Sequence, residues 1–157
     1  MSIRDELQTN LKEAMKAKDS LSAATIRLIL AAIKDRDITA RVATDQAASP
    51  QGINDQEIMS MLQSMIKQRH ESIALYQKAN RSDLVDQEQG EILIITKFLP
   101  QQMDEAQIKT AVEQAIDAIK PQGLKDMSKV MAQLREQHVG KMDFKLASDF
   151  VKQHLLR

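Results

Sequence analysis

Residues 21–33, Leu21-Ser22-Ala23-Ala24-Thr25-Ile26-Arg27-Leu28-Ile29-Leu30-Ala31-Ala32-Ile33, decide the fold class. The run is too long for one strand, has no glycine or proline, and is rich in alanine and leucine, so it reads as a helix. Leu21, Ile26, Leu28, Ile29, Leu30 and Ile33 spread around most of its circumference, which predicts a central position in a helical bundle. The helix is expected to start after Asp19 or Ser20 and to run to about Arg41. The charged Lys34-Asp35-Arg36-Asp37 segment reads as a solvated charge run that precedes a mobile polar loop around residues 47–52.

Working outward, the same periodicity recurs. A first helix opens at Ser2, with Ile3, Leu7, Leu11 and Met15 as its apolar row, and ends near Lys18. Asn54 with Glu57 marks a capping-box start for a third helix, whose inner row is Ile58, Leu62, Met65 or Ile66, Arg69, Ile73 and Tyr76. Ser82 is expected to cap a fourth helix bearing Leu84, Ile92, Ile95 and Leu99, stopped by Pro100. Asp104 with Gln107 opens a fifth helix with the stripe Ile108, Val112, Ala115, Ile116 and Ile119. Two shorter helices follow, one carrying Met127, Val130, Met131 and Leu134, the other capped by Asp143 and burying Phe144, Ala147, Phe150, Val151 and Leu155. The expectation is an all-α protein: an N-terminal bundle of about four helices over residues 1–99, then a three-helix subdomain over residues 100–157.

The 157 residues suffice to bury a core without staples, and the sequence holds no cysteine, which excludes disulfides, thiolate nucleophiles and sulfur-based zinc sites. Together with a start that lacks a signal peptide and the lack of a long apolar run, this places the expected protein in the cytoplasm, away from membranes. Lys and Arg balance Asp and Glu at 22 each. The two halves are nearly neutral as well, with 13 basic against 14 acidic side chains up to residue 99 and 9 against 8 thereafter. A charge-driven site therefore has to come from placement rather than totals.

No catalytic constellation is legible. His70, His138 and His154 fall on three different predicted helices, so no metal site is expected. The four glycines are too dispersed to cradle a phosphate, so no nucleotide cofactor is expected. No serine is flanked by the glycines of a nucleophile elbow. Two polar groups remain. Lys67, Arg69, Arg81, Glu88 and Glu91 fall in a helical hairpin; Glu88 and Glu91 share a face that can meet Arg69 or Arg81, as a recognition pocket or as an ion-pair network that docks two helices. Lys125, Lys129, Lys141 and Lys145 flank the turns of the sixth helix and suit contacts to a nucleic-acid phosphate backbone, or simply a solvated surface. The methionines Met59, Met61 and Met65 offer either an adaptable binding face or core filler, with core filler preferred.

Leu28 in an apolar helix, Lys67-Gln68-Arg69-His70-Glu71-Ser72, Arg81-Ser82-Asp83-Leu84, Glu88 with Glu91, Leu99-Pro100 and Lys129-Val130-Met131 before Gly140 together resemble the YqeY-like family. That family is similar to the C-terminal tail domain of GatB, a component of the aspartyl/glutamyl-tRNA amidotransferase. The resemblance implies a helical bundle followed by a small three-helix subdomain, and a module that holds tRNA or a tRNA-handling enzyme without catalysing a reaction alone. It also implies one alternative, a part in glutamine-dependent carbon–nitrogen ligation, while the methionine-rich helical faces suggest another, a helical protein–protein adaptor. The family commonly has glycine where this chain has Ser128, whose hydroxyl is free to cap a helix or to obstruct a phosphate.

Overall fold

The structure, a computed structural model, describes residues 2–44 and 52–156. Of the loop expected to be mobile, residues 47–52, all but Gly52 lie outside them. Among the described residues there are seven α-helices and no strand, as the absence of alternating apolar patterns predicts. The backbone groups into two compact units, Met1–Leu99 and Pro100–Arg157.

The first unit holds α1 (Ile3–Lys16), α2 (Ser20–Thr44), α3 (Asp55–Lys78) and α4 (Ser82–Thr96). Its helix starts are built from short polar side chains that satisfy otherwise orphaned N–H groups. Ser2 accepts from the Asp5 N–H at 3.2 Å, Asp19 from Ser22 at 3.1 Å, and Asn54 from Glu57 at 2.9 Å. Ser82 does not cap α4. It is the first helical residue, and the preceding Arg81 makes no side-chain cap. The turn is set instead by Asn80 at φ 56°, a left-handed position that asparagine tolerates, which lets the Arg81 N–H reach the Tyr76 carbonyl at 2.9 Å. At its other end α4 tightens through bonds from Lys97, Phe98 and Leu99 to carbonyls three residues back, and is finished before Pro100.

The core of this unit is Leu7, Ile26, Ile29, Ile33, Ile58, Met61, Leu62, Ile94, Ile95 and Phe98, with Ile3 and Ile53 at its margin. Burying each such side chain contributes about 1.5–3 kcal/mol. Met61 is buried, and Met59 and Met65 pack partly buried against the same cluster, so the methionine face is core filler rather than an adaptor surface. Two expected rows shift. In α1, Ala14 is buried and Met15 exposed, because the helix turns the Ile3, Leu7 and Ala14 side inward. In α2, Ile26, Ile29 and Ile33 are buried while Leu21 and Leu28 are exposed. Helices α1 and α4 pack against α2 and leave one of its sides open, so it is not wrapped on all sides as its composition suggests.

The second unit comprises α5 (Glu105–Ile119), a 3₁₀ turn (Leu124–Asp126), α6 (Met127–Gln137) and α7 (Phe144–Leu155). Asp104 and Gln107 form the reciprocal capping box, at 2.8 and 2.9 Å. Asp143 caps α7 through the Lys145 and Leu146 N–H groups at 3.0 and 3.3 Å. The core is Ile108, Val112, Ala115, Val130, Met131, Leu134, Met142, Ala147 and Val151, with Phe144, Phe150 and Leu155 packed partly buried around it. The extended entry of the unit is pinned to the α6–α7 turn: Met103 donates to the Lys141 carbonyl at 2.9 Å, and the Gln102 amide donates to the Gly140 carbonyl at 2.6 Å.

Candidate functional site

The lysines of the second unit are positioned by how α5 ends. Lys120 adopts φ 55° and its N–H closes onto the Ile116 carbonyl at 2.8 Å. Pro121 cannot continue the helix, and Gly123, at φ 136°, takes a conformation that favours glycine before the 3₁₀ turn. This reversal folds the α5 end over the start of α6 and leaves a shallow, mostly polar depression of about 390 Å³ lined by Ile119, Lys120, Gln122, Lys125, Asp126 and Lys129. The Asp126 carboxylate accepts the Gln122 N–H at 2.9 Å and lies 3.7 Å from the Lys129 ammonium. That N–H, followed by Lys129 and Lys125, holds the Asp126 carboxyl below the usual carboxylate range against the opposing effect of burial. Lys129 and Lys125 therefore act on one carboxylate that already accepts a backbone N–H, and Lys120 lines the same depression. Lys129 is exposed and meets Asp126 only at 3.7 Å, a weak pair, so the Lys129 ammonium is available to an incoming anion.

Of the four lysines picked out from the sequence, Lys125 and Lys129 share this depression, whereas Lys141 and Lys145 lie exposed at the α6–α7 turn and the first turn of α7 and do not line it. Lys120 joins the depression and was missed. The signal was present in its place immediately before Pro121, at a helix end. Ser128 is the second residue of α6 and exposed; it neither caps the helix nor lines the depression.

In the first unit, Arg69 of α3 and Glu91 of α4 meet. The guanidinium Nε donates to Glu91 Oε2 at 3.1 Å and Nη1 to the Met65 carbonyl at 3.1 Å. Glu91 is buried, so the pair is shielded from solvent and fixes the crossing of α3 and α4. Glu88 lies beside it, half-buried: burial pushes its carboxyl up, as does Glu91, and Arg69 opposes both. Arg81 does not reach this group. It forms a two-pronged pair with Asp83, at 3.1 and 3.0 Å, on the exposed inter-helix turn. Lys67 is exposed on α3.

A third polar cluster escaped the sequence reading. Asp37, assigned there to a solvated charge run, receives Arg4 of α1 through two bonds at 2.9 and 2.7 Å, and its Oδ1 accepts the Ile53 N–H at 2.8 Å. Arg4 also donates to the Ile53 carbonyl at 2.9 Å. The hydrogen-bonded guanidinium holds the Asp37 carboxyl below its ordinary range, with help from the Ile53 N–H and in opposition to burial. Gly52, at φ 75°, lies so close that a Cβ there would collide with the Asp37 carboxylate. This clamp ties α1, α2 and the segment entering α3 together.

His70 and His154 are exposed and His138 half-buried. Among the described residues no cluster of three or more His, Asp or Glu side chains is placed to hold a metal ion, and no helix is long and apolar enough to cross a membrane. Residues 4–155 match the family described as Yqey-like protein. The chain belongs to the YqeY-like family. Relatives of this YqeY-like chain include the "Altered inheritance of mitochondria protein 41, mitochondrial" of Lachancea thermotolerans, 37% identical over 71% of the chain and 52% of the relative. The protein of the same name in Saccharomyces cerevisiae is 34% identical over 73% of the chain and 58% of the relative. That of Kluyveromyces lactis is 30% identical over 88% and 68%. The chain thus spans little more than half the length of the first two.

These names overturn the expectation of a cytoplasmic protein, since relatives of this similarity are named as mitochondrial. The physical reason is plain: a cysteine-free composition and the lack of an apolar segment permit the reducing cytosol but do not select it over an organelle interior.

Proposed function

We propose that this YqeY-like chain is a non-catalytic accessory module that grips the phosphate backbone of tRNA through the depression lined by Lys120, Lys125 and Lys129. The observation that carries this reading is that Lys120, Lys125 and Lys129 line one depression, the last two acting on a carboxylate already engaged by a backbone N–H, in a protein with no net charge. The resemblance to the amidotransferase tail, a part associated with holding tRNA, supports the choice of ligand. A phosphate oxygen entering the rim displaces the weak Lys129–Asp126 pair and gains charge-assisted bonds.

Mobility-shift titrations with tRNA at several salt concentrations test it. Replacing Lys125 and Lys129 by alanine lowers the slope of log K against log salt by about 2, one for each lost phosphate contact. The same replacements at Lys141 and Lys145 change it less. Unchanged affinity in the Lys125/Lys129 variant refutes the assignment of the site. If capture of partners from a lysate survives ribonuclease, the ligand is a protein rather than RNA itself. The competing reading, glutamine-dependent carbon–nitrogen ligation, would have to release ammonia without a cysteine nucleophile, since the chain contains none. Conversion of glutamyl-tRNA by the isolated chain with glutamine and ATP would establish it instead.

A further inference from the structure

The side of α2 left open by its neighbours carries a regular pattern. Leu21, Leu28, Ile38 and Val42 are 39%, 49%, 49% and 77% exposed, and the intervening Ala24 and Ala31 are exposed too. With Asp35 they are spaced alternately three and four residues apart, the spacing of the a and d positions of a coiled-coil seam. The stripe from Leu21 to Val42 runs about 32 Å at 1.5 Å per residue, three heptads in all. One edge is bordered by Arg27, Lys34 and Arg41, each seven residues from the next, all exposed. None of the ion pairs found among the described residues uses any of the three. Asp35 interrupts the seam at one a position, where a lone polar residue fixes register at a cost in affinity.

We propose that this face of α2 is a docking surface for an amphipathic partner helix whose apolar stripe is bordered by Asp or Glu. Charge complementarity selects that occupant. A second copy of this chain is a poor fit, because antiparallel pairing sets Arg27, Lys34 and Arg41 against the same three cations, and parallel pairing sets them against the row of Thr25, Ala32 and Thr39, of which Thr25 is wholly buried and none carries a countercharge. A nucleic-acid backbone would satisfy the cations but leave Leu28, Ile38 and Val42 in water. An acidic-edged helix satisfies both, covering the leucine, isoleucine and valine while it pairs the basic edge. The surface is separate from the lysine depression and stands without it.

The probe is a synthetic three-heptad peptide with Leu and Ile at its a and d positions and Glu at both edges, labelled for fluorescence anisotropy and kept monomeric by its own charge. The full chain binds it saturably, and binds the same peptide with Lys at the edges at least tenfold more weakly. L28E/I38E lowers affinity for the Glu-edged peptide at least tenfold, while far-UV thermal melts stay unchanged because both side chains are exposed. R27E/K34E/R41E reverses the peptide preference, and R27Q/K34Q/R41Q abolishes the preference without new repulsion. Equal binding of the two peptides, or no saturable binding of the Glu-edged one, overturns the proposal. So does concentration-dependent self-association, or binding to vesicles containing phosphatidylglycerol, that is lost in L28E/I38E while the peptide goes unbound.

Discussion

Replacing Asp37 by alanine removes four features together: both bonds from Arg4, the acceptor for the Ile53 N–H, and the countercharge of a guanidinium that also holds the Ile53 carbonyl. Hydrogen bonds to charged groups contribute about 1.5–3 kcal/mol each when well buried. Here the Arg4 side chain is 33% exposed and that of Asp37 15%, so the stranded guanidinium can rehydrate. The net loss is then about 2 kcal/mol for the variant as a whole. With a urea m-value of about 2 kcal/mol/M, the midpoint of the first unit falls by about 1 M. Asp37→Asn keeps the shape but loses the charge and one of the two acceptors for Arg4, since its amide nitrogen only donates, and costs somewhat less. The sign of the pH dependence follows from the lowered carboxyl pKa of the folded protein. The contribution is fully present above the unfolded value of about 3.9 and is lost as pH falls through the folded value. Urea titrations followed by circular dichroism from neutral pH to about pH 3 therefore show the gap between native protein and Asp37→Asn closing on the acid side. The exposed Asp35→Asn serves as control and shifts stability by less than about 0.5 kcal/mol. If Asp37→Asn behaves like Asp35→Asn, or if its cost does not change with pH, the clamp does not hold these segments together.

Gly52→Ala combines a strained positive φ with a collision against the Asp37 carboxylate and costs about 2 kcal/mol; in the Asp37→Ala background only the backbone part remains, a non-additivity that a double-mutant cycle measures. Arg69→Ala strands the buried Glu91 carboxylate and lowers stability by about 3 kcal/mol, whereas Arg69→Met combined with Glu91→Leu recovers most of it, both read by urea midpoints. Glu88→Gln raises the midpoint at neutral pH: with a raised folded pKa, the carboxyl favours the folded state only when protonated, so the gain vanishes below about pH 4. Asp104→Ala removes half of the capping box and lowers the thermal midpoint of the second unit, at a cost of about 1 kcal/mol.

Helix identity was legible because its determinants are local. A cap and the N–H it satisfies are three residues apart, as in Ser2 with Asp5, Asn54 with Glu57 and Asp104 with Gln107, and an apolar period is written along consecutive residues. The family resemblance was legible for the same reason, since its motifs are short runs at constant offsets. The failures were positions where a local rule had a competitor. Ser82 has the chemistry of a cap, but Asn80 in the left-handed region carries the chain around the turn first. Arg81 has the reach to meet Glu88, but Asp83 lies closer along the chain and takes its guanidinium.

By itself the sequence determined that the chain is helical, where most helices begin and stop, and that Met59, Met61 and Met65 read better as core filler than as a binding face. Only the tertiary structure decided which side of α2 faces water, that Arg4 finds Asp37 across 33 residues and Arg69 finds Glu91 across 22, and that Lys120 joins Lys125 and Lys129 around one depression. The physical reason is that a helix apolar on several sides has several acceptable burials of similar energy. The choice among them, and every ion pair that depends on it, is made by the crossing of helices distant in the chain.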